Sequence, residues 1–195
     1  MRIIAGDYRG RKLIPPRDQS VTRPMTDRVK QSLFDRLAAH GFFEHETDQP
    51  IHAVDLFAGT GSLGLEALSR GADFCTFIEQ DHDAADRLEQ NLDALDARRY
   101  ARLLRSDALN PSWLLRLDDT PLSLLLLDPP YRLVEEADGF ERIAVLLAEL
   151  RPRLAEVSCL MLRTPKDVHP PAFDHFRGPG SHVYGSTQLN FYLAS

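Results

Sequence analysis

The chain has 195 residues, a formal net charge of −6, 43% hydrophobic residues and 27% charged residues. This size and composition predict one soluble domain with a full core, and no apolar run approaches the length that crosses a membrane. The start of the chain is polar rather than a secretory apolar core, so we expect a cytoplasmic protein. Cys75 and Cys159 lie in apolar runs and are expected to be buried reduced thiols. The seven histidines show no ligand spacing, and no metal site is expected.

Positive charge is concentrated at the start of the chain. Residues 1–36 hold nine Lys or Arg against four Asp, a balance of +5, which leaves −11 for the remainder. A basic segment on an acidic body predicts a polyanionic partner, although a solvated charged face is the alternative. The residues from which we expect phosphate contacts are Arg9, Arg11, Lys12, Arg23 and Arg28.

The basic segment is expected to form a hairpin and a helix. Alternating residues and two glycines predict a small hairpin over residues 2–13, and residues 15–24 predict a loop. Thr26 can cap a helix that ends at Gly41. One apolar stripe on this helix is expected to face the core, formed by Val29, Leu33 and Leu37.

Residues 54–68 predict a strand, a glycine-rich turn and a helix. Gly59 and Gly61 permit positive φ and close approach of a ligand to the backbone. The amides at the helix N-terminus offer donors to a carboxylate or phosphate, and Ser62 is expected to cap the helix. The spacing of Gly59, Gly61 and Gly64 also fits the dinucleotide fingerprint, so the turn alone does not choose the cofactor.

Three acids at predicted strand ends favour S-adenosylmethionine. Asp55, just before the turn, suits a cofactor with an ammonium group and would repel a pyrophosphate. Glu79 ends the strand-like run that starts at Phe74 and can accept hydrogen bonds from ribose hydroxyls. Asp107 follows a third predicted strand, where it can meet the adenine amine. One such acid would ordinarily be a solvated turn residue, but three in this order favour the cofactor site.

The tetrapeptide Asp128-Pro129-Pro130-Tyr131 follows the apolar run 122–127, which predicts a central strand buried on both faces. Ligands of open α/β sheets bind beyond the carboxyl ends of the strands, which places the Asp128 carboxylate in the crevice. The prolines leave the carbonyls of Asp128 and Pro129 as acceptors, and Tyr131 adds an aromatic face. This pocket suits the exocyclic amine of a nucleobase and predicts N-methylation, with RNA as the partner of the basic segment. An incidental loop breaker is the alternative.

The rest of the chain predicts an alternating α/β protein. Helical patterns cover residues 82–95, 111–117 and 139–150, and a strand pattern covers residues 155–163. The tail over residues 172–193 predicts a closing antiparallel hairpin.

These motifs together resemble the RsmD family, bacterial methyltransferases that act on the 2-amino group of a guanine in 16S ribosomal RNA. The resemblance implies an α/β, class I S-adenosylmethionine-dependent fold, Rossmann-like with a mostly parallel seven-stranded sheet. We therefore expect a single domain over residues 1–195, with a basic extension (1–41) and a catalytic core (51–195). The segments that carry the resemblance are 2–6, 8–13, 22–24, 27–29, 33–34, 55–61, 63–72, 128–131 and, weakly, 184–187.

The chain departs from this family's pattern at two positions. Arg163 stands near the end of the predicted fifth strand, where the family commonly has an acid, and Met25 stands where a threonine is more usual. Both positions concern the expected substrate rim rather than the cofactor site.

Three functional hypotheses follow. The first is an RNA guanine-N2 methyltransferase in which Asp128, Pro129 and Tyr131 hold a flipped base. Its expected substrate is 16S ribosomal RNA in a small-subunit particle, and the protein is expected to be a monomer. The second is a DNA adenine-N6 methyltransferase, which the tetrapeptide also suits. The third is a nonenzymatic nucleotide-binding or RNA-binding module on the same fold.

Overall fold

One seven-stranded sheet with the strand order β3-β2-β1-β4-β5-β7-β6 organises the molecule. The structure is a computed structural model that describes residues 1–17, 25–43 and 49–194. β1 to β5 are parallel, and β7 runs antiparallel to both β5 and β6. The strands are β1 (His52–Leu56), β2 (Phe74–Glu79), β3 (Ala101–Arg105), β4 (Leu122–Leu127), β5 (Leu154–Pro165), β6 (Phe176–Tyr184) and β7 (Thr187–Ala194). This order and direction confirm the expected class I methyltransferase fold.

Helices cover both faces of the sheet. The α-helices are α1 (Asp27–Ala39), α2 (Ser62–Ser69), α3 (His82–Ala94), α4 (Tyr131–Glu135) and α5 (Gly139–Leu150). Short 3-10 helices cover Arg98–Tyr100, Pro111–Arg116 and Arg151–Arg153. Because side chains alternate along a strand, β4 sends Leu124 and Leu126 into a core with α1, α2 and α3. It sends Leu125 and Leu127 into a second core with α5.

α1 forms as its sequence predicts. The Oγ1 of Thr26 accepts a hydrogen bond of 3.4 Å from the amide of Val29, which caps the helix. The predicted stripe is buried, with Val29 at 7% and Leu33 and Leu37 at 0% exposure. The cap residue at the other end is His40, and Gly41 follows with a φ of 82°.

Residues 1–13 form a compact loop closed by one antiparallel bridge between Arg2 and Lys12, rather than two regular strands. This loop lies against α2. A Cβ at Gly6 would stand 1.6 Å from the carbonyl oxygen of Ser69, so only glycine permits this approach. The predicted loop over residues 15–24 lies mostly outside the described residues.

A buried ionic network fixes the same loop to α2. Glu66 is 0% exposed and accepts hydrogen bonds from the amides of Ile4 and Ala5. The ammonium of Lys30, which is 1% exposed, lies 3.3 Å from Glu66 and donates to the carbonyl of Arg2 at 2.7 Å. The start of the chain, α1 and α2 are therefore joined through one carboxylate.

The C-terminal hairpin is present, and its turn is formed by Gly185 and Ser186 between β6 and β7. The sequence Gly178-Pro179-Gly180 lies within β6, where the pairing with β7 shifts register between Arg177 and Gly180. Cys75 and Cys159 are free, buried thiols, as expected. Within the described ranges, no helix is long and apolar enough to cross a bilayer.

Candidate active site

The glycine-rich turn joins β1 to α2 in a left-handed conformation. Gly59 and Gly61 have φ values of 55° and 86°, which confirms the expected positive φ. A Cβ at Gly59 would meet no atom within 4 Å, so this side of the turn is open to a ligand. A Cβ at Gly64 would stand 2.3 Å from the ring of Phe77, and this glycine therefore permits close packing of α2 on β2.

Ser62 does not cap α2, contrary to the prediction. The cap residue is Gly61, which has no side chain to accept a hydrogen bond, and Ser62 is the first helical residue. The Oγ of Ser62 instead accepts a hydrogen bond of 3.2 Å from the ammonium of Lys30. The cap position therefore provides no side-chain acceptor for the amides at this helix end.

Asp55 supports the turn from inside the sheet. Its side chain is 1% exposed, and its Oδ2 accepts a hydrogen bond of 2.8 Å from the amide of Gly64. Burial raises the pKa of Asp55 well above its usual range, and nearby Asp128 and Glu79 raise it further. The hydrogen bond from Gly64 opposes this shift.

Glu79 lies at the end of β2 and connects two turns. One carboxylate oxygen accepts from the amide of Gly59 and the other from the amide of Asp81, each at 2.7 Å. Each oxygen has a second lone pair for a ligand hydroxyl. Asp107 is exposed beyond β3, and its Oδ1 accepts from the amide of Leu109 at 3.0 Å.

The tetrapeptide lies at the end of the central strand β4. The register pairs Leu56 with Leu127, so Asp128 extends from the same edge of the sheet as the glycine turn. Pro129 is buried, and Pro130 precedes α4 as its cap residue. Tyr131 is the first residue of α4, so its ring is held by a helix rather than by a flexible loop.

Asp128 forms an ion pair with Arg163 of β5. The Nη1 of Arg163 lies 3.1 Å from each oxygen of the Asp128 carboxylate. The two side chains are 6% and 23% exposed, for Arg163 and Asp128 respectively. Burial raises the pKa of Asp128, and Arg163 opposes that shift by its positive charge and its hydrogen bonds.

Thr187 connects this ion pair to Tyr131. Its Oγ1 accepts hydrogen bonds of 2.9 Å from the Nε of Arg163 and from the hydroxyl of Tyr131. The hydroxyl of Thr187 itself donates to the carbonyl of Thr164 at 3.2 Å. The guanidinium of Arg163 lies over the ring of Tyr131, 5.2 Å from its centre, so it covers part of one ring face.

A cavity of about 430 Å³ opens beside this cluster. The N-terminal end of α1 contributes Thr26 and Arg28, and the turn between β6 and β7 contributes residues 184–187. Arg163 also lines the cavity, which places it between this space and Asp128. The cavity therefore extends from the start of α1 to Arg163 and Thr187, the partners of Asp128 and Tyr131.

Most of the residues that we expect to contact phosphates are exposed. Arg9, Arg11, Lys12 and Arg28 are exposed, whereas Arg23 lies outside the described residues. Lys30, which contributes to the +5 balance, is buried against Glu66 and cannot contact a phosphate. The charge balance of residues 1–36 therefore overstates the positive charge at the surface.

The sequence did not reveal the partners of the predicted site residues. Arg163 was evident only as a departure from the family pattern, and Thr187 only as part of a weak motif. Their proximity depends on the pairing of β4 with β5 and of β5 with β7, which no local signal specifies. In the described part of the chain, no group of His, Cys, Asp or Glu residues could hold a metal ion.

The three acids fit S-adenosylmethionine. Asp55 lies one residue before the end of β1, Glu79 ends β2, and Asp107 follows β3. These strands are neighbours in the sheet, and the turn at Gly59 is open to a ligand. An ammonium group, two ribose hydroxyls and an adenine amine are all hydrogen-bond donors, and carboxylates accept from each.

Comparisons with known proteins agree with this geometry. The family model described as "Conserved hypothetical protein 95" matches residues 1–193. "Ribosomal RNA small subunit methyltransferase D" of Escherichia coli K12 is 42% identical over 138 residues, which cover 70% of this chain and 64% of that protein. The Haemophilus influenzae protein of the same name is 39% identical over 141 residues, covering 70% and 68%. The structure titled "Putative methyltransferase yhhF from Escherichia coli" has a TM-score of 0.76 and 31% identity, covering 100% of this chain and 98% of that one.

Proposed function

Because the chain belongs to the conserved hypothetical protein 95 family, the RsmD family that its motifs resemble, we propose that it methylates the N2 amine of a guanine in 16S ribosomal RNA. The names of the relatives support methylation of ribosomal RNA. Guanine as the acceptor base and N2 as the acceptor atom go beyond those names. The observation that carries the proposal is Asp128 at the end of β4, on the same sheet edge as the glycine turn.

S-adenosylmethionine is the methyl donor, and it supplies an electrophilic methyl group when bound. Asp55, Gly59, Gly61, Glu79 and Asp107 are the residues that we propose to hold it. Glu79 also stabilises the glycine-rich turn, because its carboxylate accepts a hydrogen bond from the amide of Gly59.

The tetrapeptide would hold the acceptor base. An aromatic amine is a poor nucleophile because its lone pair is delocalised into the ring. Hydrogen bonds from this amine to the Asp128 carboxylate and the Pro129 carbonyl would favour a pyramidal nitrogen with its lone pair exposed. The ring of Tyr131 would stack on the base, and fixed positions of these groups would lower the barrier to in-line transfer.

The basic segment would bind the phosphates around the target. Arg9, Arg11, Lys12 and Arg28 are exposed, and Arg28 also lines the cavity beside Arg163. Arg23 belongs to the same proposal. We also propose a single cytoplasmic domain that acts as a monomer on a small-subunit particle, with residues 1–41 as an extension of the catalytic core.

The test is nucleoside analysis of RNA by mass spectrometry. Small-subunit particles from a strain that lacks the gene should contain less N2-methylguanosine in 16S RNA, and the purified protein with S-adenosylmethionine should restore it. Appearance of N6-methyladenine in DNA would instead favour the second hypothesis. No change in any nucleoside would favour a nonenzymatic module.

Asp128→Asn is the decisive variant. Asparagine keeps the shape and one oxygen near Arg163, whereas alanine would leave the buried Arg163 guanidinium without its counter-ion. Methyl transfer should fall at least about 100-fold while S-adenosylhomocysteine binds almost as in the parent, because polar stabilisation acts mainly in the transition state. Turnover close to that of the parent would refute the proposed role of Asp128.

A further inference from the structure

The pairing of two parallel strands brings Arg163 to Asp128. Leu127, the last residue of β4, pairs with Leu162 of β5, so Asp128 directly after β4 and Arg163 in β5 lie at the same level of the sheet. The contact is made by one nitrogen, with the Nη1 of Arg163 at 3.1 Å from both carboxylate oxygens. Such a contact fixes the direction in which the carboxylate points.

Arg163 is itself held from its opposite side. Its Nε donates to the Oγ1 of Thr187 at 2.9 Å, and its guanidinium lies over the ring of Tyr131. Because Thr187 also accepts from Tyr131, the positions of the arginine and of the aromatic ring are linked. Side chains held by several partners lose little further freedom when a substrate binds.

The negative charges near Asp128 favour a cation beside its carboxylate. Asp55 lies on the neighbouring strand β1 and is buried, and its own pKa is raised by the charge of Asp128. Arg163 is the cation that faces Asp128 and opposes the effect of burial on it. A buried and a partly buried carboxylate side by side without a cation would tend to retain a proton, and a protonated Asp128 would be a weaker acceptor.

We propose that Arg163, which lines the cavity, is a positioning residue of the methyl-transfer site that aims the Asp128 carboxylate and balances its charge. The proposal rests on the proposed function. It assigns Arg163 no contact with the cofactor and no proton transfer of its own. It makes Thr187 a residue that helps to hold the orientation of Arg163.

The test compares pH profiles of methyl transfer for the parent, Arg163→Gln, Arg163→Lys and Thr187→Val. Small-subunit particles from the deletion strain and tritiated S-adenosylmethionine are the substrates. Arg153→Gln is the matched control, because Arg153 precedes the opposite end of the same strand, β5. Thermal unfolding and S-adenosylhomocysteine binding establish that each variant is folded.

Arg163→Gln should lower kcat by about 10- to 100-fold and move the acidic limb of the profile upward by about one pH unit or more. Arg163→Lys should keep the limb within about half a unit of the parent and recover part of kcat, since lysine restores the charge but not the planar contact. Thr187→Val should lower kcat without moving the limb. Arg153→Gln should match the parent.

A parental kcat and acidic limb in Arg163→Gln would overturn the proposal. If Arg163→Gln does not fold, Thr187→Val becomes the test, because it keeps the ion pair between Arg163 and Asp128. A parental kcat in Thr187→Val would contradict the positioning role.

A second readout separates this proposal from the proposed function. Carbon-13 NMR of labelled aspartate carboxyls measures the titration of Asp128 without any methyl transfer. A higher titration midpoint in Arg163→Gln than in the parent supports the proposal even if the particles are not methylated, in which case only the proposed function fails. Equal midpoints would overturn the charge-balancing role even if the particles are methylated.

Discussion

The hydroxyl of Tyr131 donates a 2.9 Å hydrogen bond to the Oγ1 of Thr187, although 56 residues separate them in the chain. This bond connects the first residue of α4 to the first residue of β7. The ring that we propose as a stacking surface is therefore fixed by the C-terminal hairpin. The hairpin is part of the candidate site as well as an edge of the sheet.

Two substitutions at Tyr131 should distinguish the contribution of its ring to RNA binding from that of its hydroxyl. Tyr131→Ala should cost about 1 to 3 kcal/mol of binding to small-subunit particles, through lost stacking. Tyr131→Phe keeps the ring and should cost less binding than Tyr131→Ala, because the lost hydrogen bond to Thr187 lies within the protein. Filter binding and kinetics on the particles measure both. An equal loss in the two variants would mean that the hydroxyl, and not the ring, matters.

Glu79→Ala should weaken S-adenosylhomocysteine binding by about 1 to 3 kcal/mol, because a charged acceptor for the ribose hydroxyls is lost. Part of this loss would come from the turn, since the amide of Gly59 also loses its partner. Calorimetry measures the affinity, and NAD should not bind. Glu89→Ala, which removes a half-buried acid of α3 that pairs with Arg105, is the control and should bind as the parent does. Tight NAD binding, or unchanged affinity in Glu79→Ala, would contradict the cofactor assignment.

The buried Asp55 should make stability depend on pH. Its pKa in the folded protein is raised above the usual value of about 3.9. At pH values between the pKa of the unfolded state and that of the folded state, the folded state therefore binds more protons. The stability that protonation contributes is therefore present at the acidic end and is lost as the pH rises through this window. Asp55→Asn keeps an acceptor for the amide of Gly64 and removes the titration.

Urea unfolding of the parent and of Asp55→Asn, at several pH values from about 4 upward, measures this effect. The free energy of unfolding of the parent should fall relative to that of the variant as the pH rises. A difference that does not change with pH would show that Asp55 titrates alike in both states.

Removal of Arg9, Arg11 and Lys12 together should weaken RNA binding and reduce its salt dependence. Fewer counterions are released when fewer phosphates are contacted, so the slope of log K against log salt should decrease by about 2 to 3. Cofactor affinity should hardly change. A variant with alanine at Arg116, Arg142 and Arg151 removes the same charge from other exposed positions and should keep the parental slope. Equal slopes for all three proteins would mean that the basic segment is only a solvated face.

Glu66→Gln should strongly destabilise the fold. The substitution leaves the Lys30 ammonium, which is 1% exposed, without its counter-charge, and loss of one partner of a buried pair costs about 3 to 5 kcal/mol. Urea unfolding measures the change. Asp35→Asn is the control: Asp35 is 56% exposed and pairs with Arg70 of the same network, and its loss should cost less than about 1 kcal/mol. Similar small effects in both variants would show that the buried charge is not a stabilising element.

Local patterns predicted the elements of this fold well. The apolar run 122–127 is β4, the helical pattern 139–150 is α5, and Thr26 caps α1. In each case, the determining interactions lie within one element or one turn of chain. The end of β2 at Glu79 was predicted for the same reason.

Pairings between distant residues were not predicted. Lys30 contributes one positive charge to the composition of the basic segment. Only the packing of α1 on α2 shows that this side chain is buried against Glu66. Serine is a residue type that often caps helices, but the cap position of α2 is occupied by Gly61 in a left-handed conformation rather than by Ser62. The ion pair of Asp128 with Arg163 depends on strand order, which periodicity does not encode.

The attachment of residues 2–5 to Glu66 and Lys30 also bears on the proposed contact with RNA. Since this part of the basic segment is anchored to the helix that follows the glycine-rich turn, its distance from the reactive crevice is set before any RNA arrives. Little chain entropy remains to be lost there on binding. If the basic side chains bind phosphates as we propose, the protein would require a fixed separation between a phosphate group and the target base. An RNA in which that separation differs would be bound without being aligned for transfer.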